Sequence, residues 1–506
     1  MKNKLEIIYI ILIIIACIFA FILFGKNIYS PYSDIGRELY VAEQVKDGAI
    51  LYKEVFNVYF PLGYWMNAIL IKIFGSNLNT FYGIGLFLTI LTAIPLFLTT
   101  KIYTNKHLAF FLTLFILSSC SFYPSISNWI TPYSYSILYA LCFLIWSFYF
   151  LIKYINSGNN KELYLCSFLA GLSICFKYEY IGFCLILAGV CIYKKNIIKP
   201  LSFYLITPLT SILILFLQGC TTQDLIQAFN YMVGIANSNS AQFFYKFAGT
   251  TISDQTIISN IYKLIFPEFK SLFSSICIIN IILLIISTIK KRFKVALILL
   301  VSLITSIKSI GGISFEIYGT YFFPLLFISL IAFFFGEGGK LKTVIFSIIC
   351  LFLSISYINY NFSEQIKYTK ISTEKGEIVI PKILKKSTIE LLNYIKENTK
   401  ENEKILILAE GTLINFITDR KSDNFIYYLI PPNTEVFGEE FINNKIKEKE
   451  IDYIITTNIQ YPWYNEKSFM TGWGKEHLET IKETYKQEAI IGENLKFYIF
   501  KHDIIK

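Results

Sequence analysis

The sequence predicts a polytopic α-helical membrane protein with a C-terminal extracytoplasmic α/β domain, and three observations lead to that prediction. The 506-residue chain is 54% hydrophobic and 16% charged, with a mean hydropathy of +0.52, which is far from a soluble globular composition. Apolar runs of about 15 to 20 residues recur up to residue 360, with tyrosine and tryptophan near their ends. Beyond residue 360 the charged fraction rises, so we assign residues 1–360 to a membrane domain and 361–506 to a soluble domain.

Eleven apolar segments are predicted as transmembrane helices from their length and composition. They are residues 5–25, 80–100, 108–123, 133–152, 163–177, 179–193, 200–217, 271–289, 295–308, 321–335 and 343–359. The first has the basic start of a signal peptide, and Cys17 loosely fits a lipoprotein cleavage site. Because the apolar run continues past Cys17 to Phe24, we expect an uncleaved anchor.

The net charge of +10 belongs to the membrane domain. Of 46 basic and 36 acidic residues, 21 and 23 lie in residues 361–506, which leaves 25 basic and 13 acidic residues for the first 360. The basic residues are spread over short alternate loops, which indicates positive-inside topology and argues against a nucleic-acid surface. We therefore expect a multi-pass protein of the cell membrane. With eleven spans, its extracytoplasmic parts are the first loop 26–79, a second loop near 218–270 and the C-terminal domain.

Cysteine and histidine usage predicts neither a disulfide in the soluble domain nor a histidine-based metal site. The ten cysteines all lie in the first 350 residues, and no spacing resembles a zinc or redox motif. The three histidines are far apart in sequence: His107, His477 and His502. No cofactor is assigned, and a divalent cation held by Asp34 and Glu38 is the alternative.

The first loop concentrates charges directly after the first span, where a short turn would suffice. Asp34 precedes an amphipathic segment, residues 36–45, and is predicted as a helix N-cap, a functional carboxylate or both. On a helix, Arg37 and Glu38 share the face of Asp34 and are placed to pair with it or orient it. The other acidic residues of the loop are expected on the solvated side of an interfacial helix and its turn: Glu43, Asp47 and Glu54.

Two pairs of predicted spans are too short for their turns to reach bulk water. Between Lys161 and Lys194 each crossing has about 15 residues, or roughly 22 Å of helix against a hydrocarbon core of about 30 Å. Lys177 and Glu179 in that turn would be costly in lipid, so we expect them to face a polar cavity. A surface ion pair or a snorkelling lysine is the alternative. The second pair of spans contributes three residues at a similar turn: Lys308, Glu316 and Tyr321.

These residues carry a resemblance to the bacterial family 39 glycosyltransferases, part of the polytopic GT-C group that includes protein O-mannosyltransferases and the lipid A aminoarabinose transferase. It rests on the acidic first loop, on GAILYKE at residues 48–54 and YFPLGYW at 59–65, and on tail residues 404–440 and 452–458. It therefore spans nearly the full chain. Two departures stand out: Asp34 is followed by Ile35 instead of a second acid, and Tyr59 is not preceded by the lysine or followed by the double proline of the aminoarabinose transferases. Neither a protein acceptor nor an aminoarabinose donor is supported.

The resemblance implies a cavity at the outer membrane face, a polyprenyl-phosphate sugar as donor, and Asp34 as the catalytic base; the acceptor is unspecified. Sugar transfer to a hydroxyl develops positive charge at the sugar carbon and negative charge on the departing phosphate, so it calls for a carboxylate and cations. Arg37, Lys177 and Lys308 are candidates to hold the phosphate, with Glu179 orienting Lys177 or touching the acceptor. The other candidate substrate contacts are Glu38, Lys53, Tyr59, Tyr64 and Tyr321.

The soluble tail alternates short strands and helices, which predicts a small parallel or mixed sheet. The predicted strands are 403–409, 452–457 and 496–501, and the predicted helices are 413–418, 441–449 and 476–485. Glu410 and Gly411 follow the first strand, where ligands often bind in such sheets, and a structural turn is the alternative.

The predicted function is an inverting membrane glycosyltransferase, and a transporter or lipid-linked sugar flippase is the main alternative. Transporters commonly show internal repeats and polar groups at the membrane midplane. This sequence shows no detectable repeat and places its charges at one face. An inert scaffold protein, the third class, would tolerate replacement of the first-loop charges.

Overall fold

The computed structural model describes residues 2–122, 128–193, 197–248, 272–306, 319–335, 340–422, 425–448 and 451–502. Helices α1 to α11 are, in order, Lys2–Phe24, Asp34–Lys46, Pro61–Phe74, Leu78–Tyr103, Lys106–Cys120, Tyr135–Ser157, Asn160–Phe176, Ile181–Tyr193, Ile198–Leu217, Thr222–Asn237 and Asn239–Ala248. The described ranges of the membrane part also contain the helices Leu272–Ile289, Phe293–Thr305, Phe323–Phe335 and Lys340–Gln365. Predominantly helical structure before residue 366 confirms the predicted class.

Each of the eleven predicted spans coincides with one of these helices. Helices α2, α3, α10 and α11 are additional and belong to the two predicted outer loops. Within the described ranges, five helices are long and apolar enough to cross a membrane: Lys4–Phe24, Leu78–Tyr103, Tyr135–Ser157, Ile198–Leu217 and Leu341–Gln365. The protein is therefore a multi-pass membrane protein by composition, and the count of eleven crossings stays a prediction.

The tail contains a two-stranded hairpin and a four-stranded mixed sheet. Its strands are β1 (Tyr368–Thr373), β2 (Gly376–Pro381), β3 (Ile405–Leu408), β4 (Tyr453–Thr457), β5 (Tyr485–Ile491) and β6 (Phe497–His502). The larger sheet has the order β3, β4, β6, β5, with β3 and β4 parallel and the other pairs antiparallel. Its helices are Lys385–Asn398, Thr412–Thr418, Pro431–Phe437, Glu439–Ile446 and Lys475–Thr484. The mixed sheet was predicted, whereas the hairpin, β5 and two of the helices are additional.

Helix α2 lies between the membrane helices and the tail. Its residues from Ile35 to Gln44 are buried, and it packs against the tail helix Thr412–Thr418. The approach is closest at Gly36, where an added Cβ would lie 2.3 Å from the backbone nitrogen of Leu413. Glycine is therefore needed at this position because the two backbones pass too close for a side chain.

Some acidic residues of α2 and its following turn are buried, and others are exposed. The predicted solvated position is wrong for Glu43, which is 3% exposed and forms an ion pair of 2.7 Å with Lys375 of the tail. Asp47 and Glu54 are exposed as predicted, and Asp47 also pairs with Lys421. Both tail lysines are more than 300 residues away in sequence, so the local helical pattern carries no sign of them.

Replacing Gly36 with alanine should weaken the docking of the tail. The added methyl group would force apart two packed backbones, and overpacking of this kind typically costs about 1–3 kcal/mol. We expect a lower melting temperature in detergent and faster proteolysis of the tail. The control is Gly83→Ala in α4, where no atom lies within 4 Å of the added Cβ. Equal melting temperatures and proteolysis rates in the two variants would contradict the close approach of the backbones at Gly36 and Leu413.

Candidate active site

Helix α2 begins at Asp34 and holds that carboxylate beside a cation and a tail tyrosine. Ser33 occupies the N-cap position, so the predicted capping role of Asp34 is wrong: Asp34 is the first helical residue. Its Oδ1 atom lies 2.9 Å from Arg37 Nη1 and accepts a hydrogen bond of 2.9 Å from the Tyr428 hydroxyl. The side chain remains 26% exposed, and a negative charge is favoured at a helix N-terminus.

Glu410 lies on the other side of the Tyr428 hydroxyl. It follows strand β3, and its Oε1 atom is 2.8 Å from that hydroxyl. Burial and the nearby Asp34 charge raise the pKa of Glu410 to about 8, with Tyr428 and Arg37 partly opposing the shift. The structure thus brings Glu410, which sequence patterns assigned either to a ligand contact or to a turn, into the same cluster as Asp34.

Two cations lie over the ring of Tyr59. The Arg37 guanidinium carbon is 5.1 Å from the ring centroid, and Lys177 Nζ is 4.1 Å from it. Lys177 is 1% exposed, pairs with Glu179 at 3.4 Å and donates to the Tyr133 hydroxyl. Aromatic faces stabilise cations that have been removed from water. The predicted gathering of Lys177 and Glu179 near the first-loop charges is therefore present, with Tyr59 as the shared contact.

Glu38 is a buried anchor beneath this cluster. Its Oε1 atom accepts from the Tyr64 hydroxyl at 2.6 Å, and its Oε2 atom accepts from the Ser134 hydroxyl and the Tyr135 backbone N–H, each at 3.1 Å. The last contact caps the N-terminus of α6. Burial raises the pKa of the Glu38 carboxyl, and Arg37 and these donors offset part of that shift. Both oxygens are thus engaged in tying α2 to α3 and α6.

The Asp34 cluster opens into a cavity of about 160 Å³. Polar and charged groups line one part: Asp34, Arg37, Asn57, Tyr59, Glu179 and Asn433. Aromatic and apolar side chains from the first loop, from α10 and α11 and from the tail line the rest. Among the residues that the structure describes, no three His, Cys, Asp or Glu side chains converge as metal ligands.

A second, apolar cavity of about 440 Å³ adjoins the first. It is enclosed by α7, α9, α10 and the segment before α3, with lining residues that include Phe60, Tyr204, Ile212 and Ala228. Met232 lines both cavities, which places the charged cavity next to the apolar one. An elongated amphiphile with a charged head therefore fits the combined shape.

Three further predicted residues, all within the described ranges, lie away from the polar cavity. Lys53 is exposed and donates to the Gly219 carbonyl oxygen at 3.2 Å, while Tyr64 is fully buried on Glu38. Tyr321 is also fully buried and donates to the Asn128 carbonyl oxygen. Lys308 and its neighbour Glu316 lie outside the described residues.

The cavity includes residues that sequence reasoning missed. The most important is Tyr428, and the others include Tyr427, Met232 and Tyr464. Tyr428 stands in the tail sequence FIYYLI, where nothing distinguishes it from the other aromatic residues of this aromatic-rich chain. Only the fold, which pairs Ala409 with Leu429, places Tyr428 beside Glu410.

Replacing Glu38 with alanine should destabilise the protein, because it removes the acceptor of three buried donors. Each unsatisfied buried donor costs about 1–3 kcal/mol, so we expect a total loss of roughly 3 kcal/mol or more. Thermal unfolding in detergent measures it. Glu54→Ala is the control, since the exposed Glu54 accepts a single backbone bond and should change stability by less than about 1 kcal/mol. Similar losses of stability in the two variants would argue against the anchoring role of Glu38.

Comparisons with known proteins found one family match in sequence and similar folds among solved structures. Residues 60–218 match the family model described as dolichyl-phosphate-mannose-protein mannosyltransferase. No curated protein is similar enough in sequence to match the chain. The crystal structure of ArnT from Cupriavidus metallidurans bound to undecaprenyl phosphate is similar with a TM-score of 0.57 and 8% identity, over 99% of this chain and 98% of that one.

A second solved structure has a related fold. The oligosaccharyltransferase of Archaeoglobus fulgidus, in complex with zinc and sulfate, matches with a TM-score of 0.50 and 12% identity, over 96% of this chain and 72% of that one. At such identities the likeness concerns the fold, and it agrees with the family match and with the resemblance found in the sequence. The chain therefore has a fold similar to those of ArnT and the archaeal oligosaccharyltransferase, and its residues 60–218 match the mannosyltransferase family model.

Proposed function

We propose that this protein transfers a sugar from a polyprenyl-phosphate donor to an acceptor hydroxyl at the outer face of the cytoplasmic membrane. The observation that carries the proposal is the contact between two unlike cavities, one polar around Asp34 and Arg37 and one apolar, which share Met232. A lipid-linked sugar likewise has a polar part, the sugar phosphate, and an apolar part, the prenyl chain. The fold of ArnT, a protein solved with undecaprenyl phosphate, supports the assignment.

The apolar cavity would take the first prenyl units of the donor. Its lining comes from helices α7, α9 and α10, and these helices also carry exposed apolar side chains, such as Leu165, Leu209 and Ile226. Burial of prenyl carbon stabilises the complex by about 0.8 kcal/mol for each CH₂ group. The phosphate would then lie at the Met232 end, facing Arg37.

Arg37 is the cation best placed for the phosphate. It lines the polar cavity, with Nη1 on Asp34, Nη2 donating to the Tyr59 hydroxyl at 3.4 Å and the buried Nε atom 3.8 Å from Glu38 Oε1. A guanidinium offers a fork of donors that suits phosphate oxygens. Lys177 does not line the cavity, so in this proposal it adds positive potential from behind Tyr59 without touching the donor.

Asp34 would act as the general base in a single displacement. The acceptor oxygen attacks the anomeric carbon, the bond from that carbon to the phosphate oxygen breaks with its electron pair leaving on phosphate, and Asp34 takes the acceptor proton. Attack from the face opposite the leaving phosphate inverts the anomeric configuration. Arg37 would stabilise the negative charge that the phosphate gains.

Asp34→Asn should abolish transfer while leaving expression and melting temperature unchanged. Loss of a general base typically lowers kcat by about 10²- to 10⁴-fold. The assay follows release of polyprenyl phosphate from a purified donor in detergent. Asp47→Asn is the matched control, since this exposed carboxylate at the end of the same helix forms its ion pairs with Lys46 and Lys421 in the described part of the chain. Wild-type transfer by the Asp34 variant would remove it from the base role.

Ile212→Trp should weaken use of a long-chain donor specifically. Ile212 lines the apolar cavity and is 45% exposed, so a larger side chain can fill the cavity without disturbing the core. Displacing one or two methylene groups raises KM about five- to tenfold for the long-chain donor, with little change for a short-chain analogue. Ile206→Trp on the same helix is the control, because Ile206 faces away from the cavity lining. Equal KM changes for the long-chain and short-chain donors would contradict the assignment of the apolar cavity to the prenyl chain.

A further inference from the structure

The Tyr428 hydroxyl stands between two carboxylates that come from different domains. It lies 2.9 Å from Asp34 of the first loop and 2.8 Å from Glu410 of the tail. A phenol has one proton, so it can donate to only one of two ionised carboxylates. Both hydrogen bonds can form at once when one carboxyl group carries a proton and donates it to the phenol oxygen, while the phenol donates to the other carboxylate.

The surroundings determine which carboxyl holds that proton. Asp34 is partly exposed and paired with Arg37. The titratable groups that face Glu410 are Asp34, Arg37, Tyr428 and Tyr461. Burial and the Asp34 charge raise the pKa of Glu410 to about 8. Near neutral pH, Glu410 therefore donates to Tyr428, and Tyr428 donates to Asp34.

The backbone around Glu410 keeps this geometry in place. The Leu429 N–H donates to the Ala409 carbonyl oxygen at 3.1 Å, which fixes the two chain segments side by side. At Gly411 an added Cβ would lie 2.1 Å from an Ile407 side-chain atom, so the turn after Glu410 is tightly packed. The tail thus presents Glu410 to the first loop from a rigid strand end.

We propose that Glu410 is a positioning residue that acts through Tyr428 to orient Asp34, and that its ionisation switches off donor use at alkaline pH. The inference rests on the proposed function. Ionised Glu410 would compete with Asp34 for the single Tyr428 proton and would add a negative charge close to where the donor phosphate binds. Both effects oppose transfer of a sugar from an anionic donor.

The pH dependence of kcat/KM for the donor tests the proposal. For the wild type, kcat/KM should fall about tenfold between pH 7 and pH 9, as expected for one ionisation near pH 8. Glu410→Gln keeps a neutral group that donates permanently to Tyr428, so its kcat/KM should lie within about twofold of wild type at pH 7 and stay flat to pH 9. Tyr428→Phe should lower kcat at every pH and show a smaller alkaline fall, because only the charge effect of Glu410 would remain.

The control is Glu488→Gln, an exposed tail glutamate bonded to Tyr394, which should keep the wild-type profile. A Glu410→Gln profile that falls like wild type would overturn the proposal. So would an equal loss of activity at all pH values, because that is the signature of a structural role only.

Thermal stability provides a readout that does not depend on transfer. A carboxyl whose pKa is raised in the folded state stabilises the protein fully below its unfolded pKa and loses that contribution as pH rises through the folded pKa. Wild type should therefore lose more melting temperature than Glu410→Gln between about pH 4.5 and pH 8. Parallel stability curves would contradict a protonated Glu410. Transfer retained by Asp34→Asn would instead reject the proposed function and leave this stability result standing.

Discussion

Helix α2 is packed on both sides, and this packing determines where the charges of the site lie. On one side the buried Glu38 carboxylate joins it to α3 and to the N-terminus of α6. On the other side Gly36 lets the helix approach the Leu413 backbone, and Glu43 pairs with Lys375. Asp34 and Arg37 stand in the first turn of this helix, so their positions depend on contacts to the membrane helices and to the tail together.

The electrostatic consequence is a compact group of opposite charges at low exposure. Among the described side chains, Arg37 and Lys177 share the Tyr59 ring, while Asp34 and Glu179 pair with them. Charges removed from water are tolerated when they are paired and hydrogen-bonded. A group balanced in this way has little room for another negative charge, and the phosphate of the proposed donor would bring one. The protonation state of Glu410 therefore matters more here than it would on an open surface.

Much of the fold and part of the site could be predicted from the sequence. Hydropathy located a helix for each of the eleven predicted spans, and the short helices around Lys177 and Glu179 indicated a buried pair near the first-loop charges. Both inferences rest on short-range physics, because the length of an apolar run and the cost of a charge in lipid are local properties. The early identification of Asp34 came from the family resemblance.

The residues that were missed depend on contacts between distant parts of the chain. Tyr428 reaches Asp34 across 394 positions, and Lys375 reaches Glu43 across 332. Neither carries a local pattern, since one is a tyrosine among aromatic residues and the other a lysine in a hairpin turn. The burial of Glu43 likewise follows from the docked tail, which a helical periodicity calculated over α2 alone does not include.

The most direct test of the account is an experimental structure of the protein with a polyprenyl-phosphate sugar bound. In such a structure we expect the phosphate within hydrogen-bonding distance of Arg37, the sugar beside Asp34 and the first prenyl units in the apolar cavity that shares Met232. A prenyl chain bound elsewhere, or a phosphate held away from the first turn of α2, would contradict this expectation.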